Sequence, residues 1–194
     1  MIDWSLNLRY LLWKKDIPQE KWVKKITECL NSDNDMRAED LLRGAKPSDR
    51  ELDKIKEGIP LSEEEYMGLM NTNIIKLAQT GGDLEIWQEN FLFLLTKIPH
   101  GKNQDFASKL GFDPSNISKW KNRKQKPEKN KKAAVKKYFG IPLNFDLEED
   151  LLFLSLDPIS IQEKKDWICK RINQLNPNAI QELFPAFQRL LRDP

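Results

Sequence analysis

A single histidine and two cysteines are the scarcest side chains in this 194-residue sequence, and their scarcity removes whole classes of chemistry. Cys29 and Cys169 stand alone, with no CxxC spacing and no histidine neighbour, so neither a metal site nor a disulfide is expected. Both read as half-buried small apolar residues. His100 follows Ile98 and Pro99 at the end of a helical stretch, and no Ser, Cys or Asp arrangement accompanies it that would suggest a triad. It reads as a loop histidine. No GxxxxGK[ST] or GxGxxG phosphate loop occurs, and the acidic clusters Glu63–Glu65 and Glu148–Asp150 read as helix starts, where carboxylates favour the dipole. The expectation is a non-enzyme without cofactor or metal. Also missing is any run of the roughly 20 apolar residues needed to span a bilayer. The opening MIDWSLNLRY lacks the basic and apolar regions of a signal peptide. A cytoplasmic protein with no membrane partner is expected.

The net charge of +2 conceals a strong internal polarity. Residues 1–66 carry 12 basic and 15 acidic side chains, residues 67–84 cancel, residues 85–145 carry 13 against 5, and residues 146–194 return to about −3. Nucleic acid attracts local rather than average positive charge, so the middle segment is the electrostatic footprint.

Within that segment, KNQDFASKLGFDPSNISKWKNRKQKP at Lys102 to Pro127 reads as two short helices around a tight turn, followed by a cationic loop. Phe106, Ala107 and Leu110 recur at helical spacing before Gly111, which favours a helix stop. Asp113 before Pro114 is an N-cap residue followed by proline at the first helical position, and Ile117 and Trp120 then form a buried stripe. With those two inward, Ser115, Asn116, Ser118, Lys119 and Asn122 face out, a polar surface without a carboxylate. Lys121, Arg123, Lys124, Lys126, Lys129, Lys131, Lys132, Lys136 and Lys137 continue it as a phosphate-contacting rim. The blander reading is a solvated face on an ordinary helical corner, as charge runs usually are.

The segment resembles the helix-turn-helix of the phage lambda repressor and Cro family, the XRE family of bacterial regulators. Trp87, Phe91, Leu94 and Leu95 supply the first helix of that five-helix fold, and Ala134, Val135 and Phe139 the fourth, closing in GIPL at Gly140 to Leu143. Leu147 to Leu154 is expected as the fifth. The resemblance implies double-stranded DNA as partner, with base reading by Pro114, Ser115, Asn116 and Lys119. It implies phosphate contacts from Asn103, Gln104, Ser118, Lys121, Asn122, Arg123, Lys124 and Lys126. The family's phosphate-anchoring glutamine, second in helix two, is represented by Asn103 there or by Gln104 one place later. Arg123 stands where the family often has glycine, which implies a longer or differently shaped exit from the recognition helix.

Compared with the rest of the chain, the N-terminal segment reads as a second copy. Trp4, Asn7, Leu11 and Leu12 match Trp87, Asn90, Leu94 and Leu95, and GIPL recurs at Gly58 to Leu61. The second helix of this copy is expected at Gln19 to Leu30, with Trp22, Val23 and Ile26 in the places of Phe106, Ala107 and Leu110. Ala38 and Leu41 match Ile117 and Trp120, which puts Glu39 and Asp40 where Ser118 and Lys119 stand. Two carboxylates there would repel phosphate, so the copy reads as degenerate and kept for dimerisation or partner binding. Arg37, Arg43 and the lysines of its first two helices leave a backbone role open.

The stretch from Tyr66 to Gln79 reads as a connecting helix ended by Gly81 and Gly82. Beyond residue 155, Trp167, Ile168, Ile172 and Leu175 mark one helix of a C-terminal hairpin. Ile180, Leu183, Phe184, Phe187, Leu190 and Leu191 mark the other. The tryptophans fall mostly on apolar stripes and read as core. The expected organisation is all-α: a degenerate lambda-repressor-like domain at 1–66, a connector at 67–84, a DNA-binding domain at 85–154 and a helical arm at 155–194. The expected function is a sequence-specific transcriptional regulator acting as a homodimer, since a dimer reads two half-sites roughly 34 Å apart. The rival is a DNA-localising interaction subunit, antitoxin-like or part of a defence system, that holds a protein through residues 1–66 or 155–194. RNA binding rests on positive charge alone, because no RNP-type or GXXG motif is present.

Overall fold

A computed structural model describes residues 3–33, 35–142, 144–159 and 161–192, whose regular secondary structure is all helical, with no strand among the described residues. No helix among them is long and apolar enough to cross a membrane. Contacts divide the chain into two units, Met1–Lys132 with Asn144–Leu156, and Ala133–Leu143 with Asp157–Pro194.

The first unit is organised around two central helices, α1 (Trp4–Lys14) and α7 (Ile86–Thr96), which bury residues on nearly every side. In each, a buried asparagine serves as an internal clamp. Asn7 Nδ2 donates to the carbonyls of Leu69 and Thr72 at 3.0 and 2.7 Å. Asn90 Nδ2 donates to Leu147 and Asp150 at 3.0 and 2.7 Å, and its Oδ1 accepts from the Phe153 N–H at 3.0 Å. A buried amide that satisfies otherwise orphaned backbone groups is worth keeping in a core, because those groups would be costly unpaired.

Around α1 stand α2 (Trp22–Leu30), α3 (Asp35–Leu42), α4 (Asp49–Gly58), α5 (Glu63–Asn71) and α6 (Ile74–Thr80). α2 packs on α3 and α4, while α1 meets α3, α5 and α6. Ser48 with Glu51 and Ser62 with Glu65 form capping boxes that start α4 and α5, each satisfying two orphan donors. α8 (Asn103–Leu110) and α9 (Pro114–Lys121) follow α7, and α10 covers Lys132–Phe139.

Several expectations need correction. The residues expected as a fifth helix at Leu147 to Leu154 form a turn and a 3-10 segment, Leu152–Leu154. Carboxylates take the local backbone donors instead: Asp146 Oδ1 accepts from the Glu148 N–H at 2.8 Å, and Asp150 Oδ2 from the Asp146 N–H at 2.6 Å. Asp residues compete in this way with helix formation. Glu148–Asp150 is therefore no helix start. The connector is not one helix, since α5 starts at Glu63, crosses residue 66 and ends at Asn71, and Asn73 caps a separate α6.

The register of α2 also shifts by one turn. α2 and α8 both stop at a left-handed residue, Asn31 at φ 51° and Gly111 at φ 65°, and counting back from these places Ile26, Thr27 and Leu30, all buried, where Phe106, Ala107 and Leu110 stand. Apolar spacing alone cannot distinguish registers one turn apart. Cys29 is buried, but Cys169 is exposed.

In the second unit, α11 (Ile161–Gln174) and α12 (Pro177–Arg192) carry the expected apolar residues in the open: Trp167, Ile168, Ile180, Leu183, Phe184 and Leu190 are exposed. Leu143, last residue of the second GIPL, and the side chain of Leu191 lie outside the described residues.

Candidate nucleic-acid interface

The α8–turn–α9 segment stands on an aromatic base. The Trp120 ring packs edge-on against Phe91 and Phe112 at centroid distances of 5.1 and 4.8 Å, and Phe106 and Trp87 extend the cluster through Phe91. Phe106, Ala107 and Trp120 are fully buried. Interlocked rings leave α9 little freedom to rotate about its axis.

Both ends of α9 are tied off. Asp113 accepts from the Ser115 N–H at 2.8 Å, an N-cap that leaves proline where no donor is needed. The Ser115 backbone and hydroxyl hold the Asp113 carboxyl below its usual range. At the other end the N–H groups of Arg123 and Lys124 donate to the carbonyls of Trp120 and Lys119, both at 2.8 Å, the bonding pattern of a Schellman stop. Arg123 sits in the left-handed region at φ 54°. The expected longer or differently shaped exit is thus not formed: arginine adopts the left-handed conformation for which glycine is usual. Its guanidinium is anchored by two contacts to the buried Glu89 carboxylate, Nη2 to Oε2 at 2.7 Å. That hydrogen-bonded partner pushes the Arg123 pKa further up, against the opposing effect of burial.

The outward face contains Pro114, Ser115, Ser118 and Lys119 in the open, with Asn116 half-buried. Asn116 Oδ1 accepts from Lys119 Nζ at 3.3 Å. Asn122 Nδ2 donates back to the Ser118 carbonyl at 2.9 Å, reinforcing the end of the helix. Gln104 is exposed at the start of α8 and Asn103 half-buried.

The cationic rim is less uniform than its composition suggests. Lys126 pairs with Glu85 at 2.5 Å, Lys129 lies 4.0 Å from Glu85 and 3.6 Å from Glu148, and Lys132 pairs with Glu148. Lys119, Lys121 and Lys124 are exposed and make no ion pair among the described residues. Arg123 and Lys126, grouped by sequence with the phosphate contacts, are therefore already engaged by carboxylates. Glu85, Glu89 and Glu148 are the functional neighbours that sequence reasoning missed. The one available signal was Glu85 and Glu89, four apart across the cap and first turn of a helix whose C-terminal part is apolar.

The corresponding surface of the first region differs in charge and in commitment. Glu39 is half-buried and Asp40 exposed on α3, and Arg37 is held by Glu51 through Nε and Nη2 at 2.7 and 2.8 Å. Lys14 and Lys15 both pair with Glu65, at 3.1 and 2.9 Å. The chain matches no protein-family model, no curated protein and no solved structure.

Proposed function

We propose that this chain is a sequence-specific double-stranded DNA-binding transcriptional regulator of the lambda-repressor-like XRE type, acting as a homodimer through α9. The observation that carries this reading is the outward face of α9. It is polar, carboxylate-free and bordered by three uncompensated lysines, Lys119, Lys121 and Lys124, on a helix fixed at both ends and from beneath. Pro114, Ser115, Asn116 and Lys119 read bases in the major groove. Asn103, Gln104, Ser118, Lys121, Asn122 and Lys124 contact phosphates, while Arg123 and Lys126 reach phosphate only by leaving their glutamates. The first region, with Glu39 and Asp40 at the matching surface, has a structural or partner-binding role.

Selection of bound duplexes from a random pool, with Lys119→Ala and Lys124→Ala run beside the parent, tests the proposal. An enriched motif that changes with Lys119→Ala is expected. Lys124→Ala should weaken all duplexes alike and lower the salt slope by about one. Equal effects of both variants on every sequence would remove the base-reading assignment.

A second reading is favoured by the exposed apolar residues of α11 and α12, which exceed what an isolated surface helix needs. In that reading the arm holds a protein partner and DNA binding localises the assembly. Tight co-purification of a second protein would support it.

A further inference from the structure

Against α1, and walled by α5 and α6, the first unit contains an open cleft of about 880 Å³, within the size range of small-molecule sites. Its apolar wall is Trp13, Met67, Ile74, Leu77 and Ala78, of which Met67 and Leu77 are exposed by 55% and 59%.

The polar groups have an uneven balance. The cations that face the cleft are already engaged, Lys14 by Glu65 and Arg123 by Glu89. Asp16, Glu64 and Asp83 also line it, and none has an ion-pair or hydrogen-bond partner among the described side chains. Asp16 acts on Arg123 and Asp83 on Lys14 only through longer-range attraction, so the carboxylates without a direct partner outnumber the cations. Tyr10 supplies an independent observation. It is only 4% exposed and lines the cleft, yet its hydroxyl has no hydrogen-bond partner among the described residues. The hydroxyl is not itself a fully buried orphan and so opens onto the cleft, where a ligand can reach it. Burial pushes the Tyr10 phenol up; the Lys14 charge opposes this most, and Asp83, Glu89 and Glu65 add to the rise. The Trp13 ring, 5.4 Å from that of Tyr10, adds an aromatic face of the kind that attracts cations.

We propose that this cleft binds a small primary ammonium compound with an apolar or aromatic body. The ammonium donates to the Tyr10 hydroxyl and to the carboxylates of Asp16 and Asp83, while the body lies against Trp13, Met67 and Leu77. The cleft shares Arg123 with the end of the proposed DNA-reading helix but none of its proposed base-reading residues, and the proposal does not depend on that helix's reading.

The test is calorimetric titration of the full chain with three probes of matched size: 2-phenylethylammonium, neutral 2-phenylethanol and anionic 3-phenylpropanoate. Saturable binding of the ammonium is expected, at least tenfold tighter than the alcohol and tighter still than the carboxylate. Asp16→Asn with Asp83→Asn should remove that preference, and Tyr10→Phe should weaken the ammonium several-fold, with helical circular dichroism unchanged. Absence of saturable ammonium binding, or equal binding of ammonium and alcohol, overturns the proposal. These two outcomes are read on the parent protein and stand even where a variant fails to fold. Unchanged affinity in the folded double variant overturns it as well.

Discussion

The region from Trp4 to Asn71 and the region from Ile86 to Leu154 solve the same packing problem with different chemistry at corresponding places. Each has a central helix with a buried asparagine, and each stops its second helix in a left-handed residue. In each, the next helix has two buried residues six and three places before a second left-handed stop. That stop is Gly44 at φ 113° in the first region and Arg123 at φ 54° in the second. A glycine accepts the conformation at little cost, whereas arginine costs roughly 1–2 kcal/mol there. The second region offsets the cost with the Glu89 pair, which the first neither has nor needs. Core and turn geometry can therefore persist while surface charge is rewritten, from Glu39 and Asp40 on one helix to Ser118 and Lys119 on the other.

The comparison is sharpest at the asparagines. Asn90→Ala forfeits three hydrogen bonds and Asn7→Ala two. At roughly 1 kcal/mol per bond the expected losses are about 3 and about 2 kcal/mol. Urea denaturation followed by circular dichroism measures both, and a reversed order would break the equivalence of the two clamps.

The two GIPL motifs differ in why they contain glycine. A Cβ at Gly58 would lie 2.3 Å from Cys29 Sγ, whereas Gly140 has open space but φ 66°. Gly58→Ala should destabilise by about 1–3 kcal/mol through overpacking, and Cys29→Ala should partly restore it. Gly140→Ala should cost about 1 kcal/mol and be indifferent to Cys29. Thermal melts of the four variants decide between the two causes.

Arg123→Gly would turn the second stop into the first. Loss of the pair to buried Glu89 outweighs the relief of backbone strain, so a net loss of about 1–2 kcal/mol is expected, discounted because Arg123 itself is half exposed. Adding Glu89→Gln should recover most of it, as the chemical-denaturation midpoint would report.

The smallest contrast is in acid. Glu51 is lowered to about 2, chiefly by the Arg37 hydrogen bond; Glu65 also falls to about 2, where burial opposes the shift and Lys15, the Ser62 N–H and Lys14 outweigh it. A depressed carboxylate contributes stability above its unfolded value and loses it as pH falls through the folded one. The first region should therefore weaken between about pH 4.5 and pH 2, and Glu51→Gln should flatten that slope in denaturation midpoints measured at successive pH values.

Local rules made α8 and α9 legible in sequence: Phe106, Ala107 and Leu110 before Gly111, then Asp113, Pro114, Ile117 and Trp120. The recurring pattern of Trp4 and Asn7 at Trp87 and Asn90 was legible too, and each asparagine is a buried clamp in a central helix. What escaped depended on groups distant in sequence. Asn90 captures backbone 57 to 63 residues away, which satisfies Leu147 to Phe153 without a helix. Glu89 claims Arg123 across 34 residues, and charge counting credited that arginine to the rim. The carboxylate-lined cleft joins residues of α1 with those of α5 and α6, which no local pattern brings together.

The two fastenings of α9, at Asp113 and at Arg123, have a consequence for association entropy. Because the backbone is already ordered when a ligand arrives, the freedom still to be lost on that face belongs to side chains, chiefly Lys119, Lys121 and Lys124. At roughly 0.5–1.5 kcal/mol for each long side chain immobilised, docking there costs only a few kcal/mol of ordering, where an unfastened helix would have to order its backbone as well.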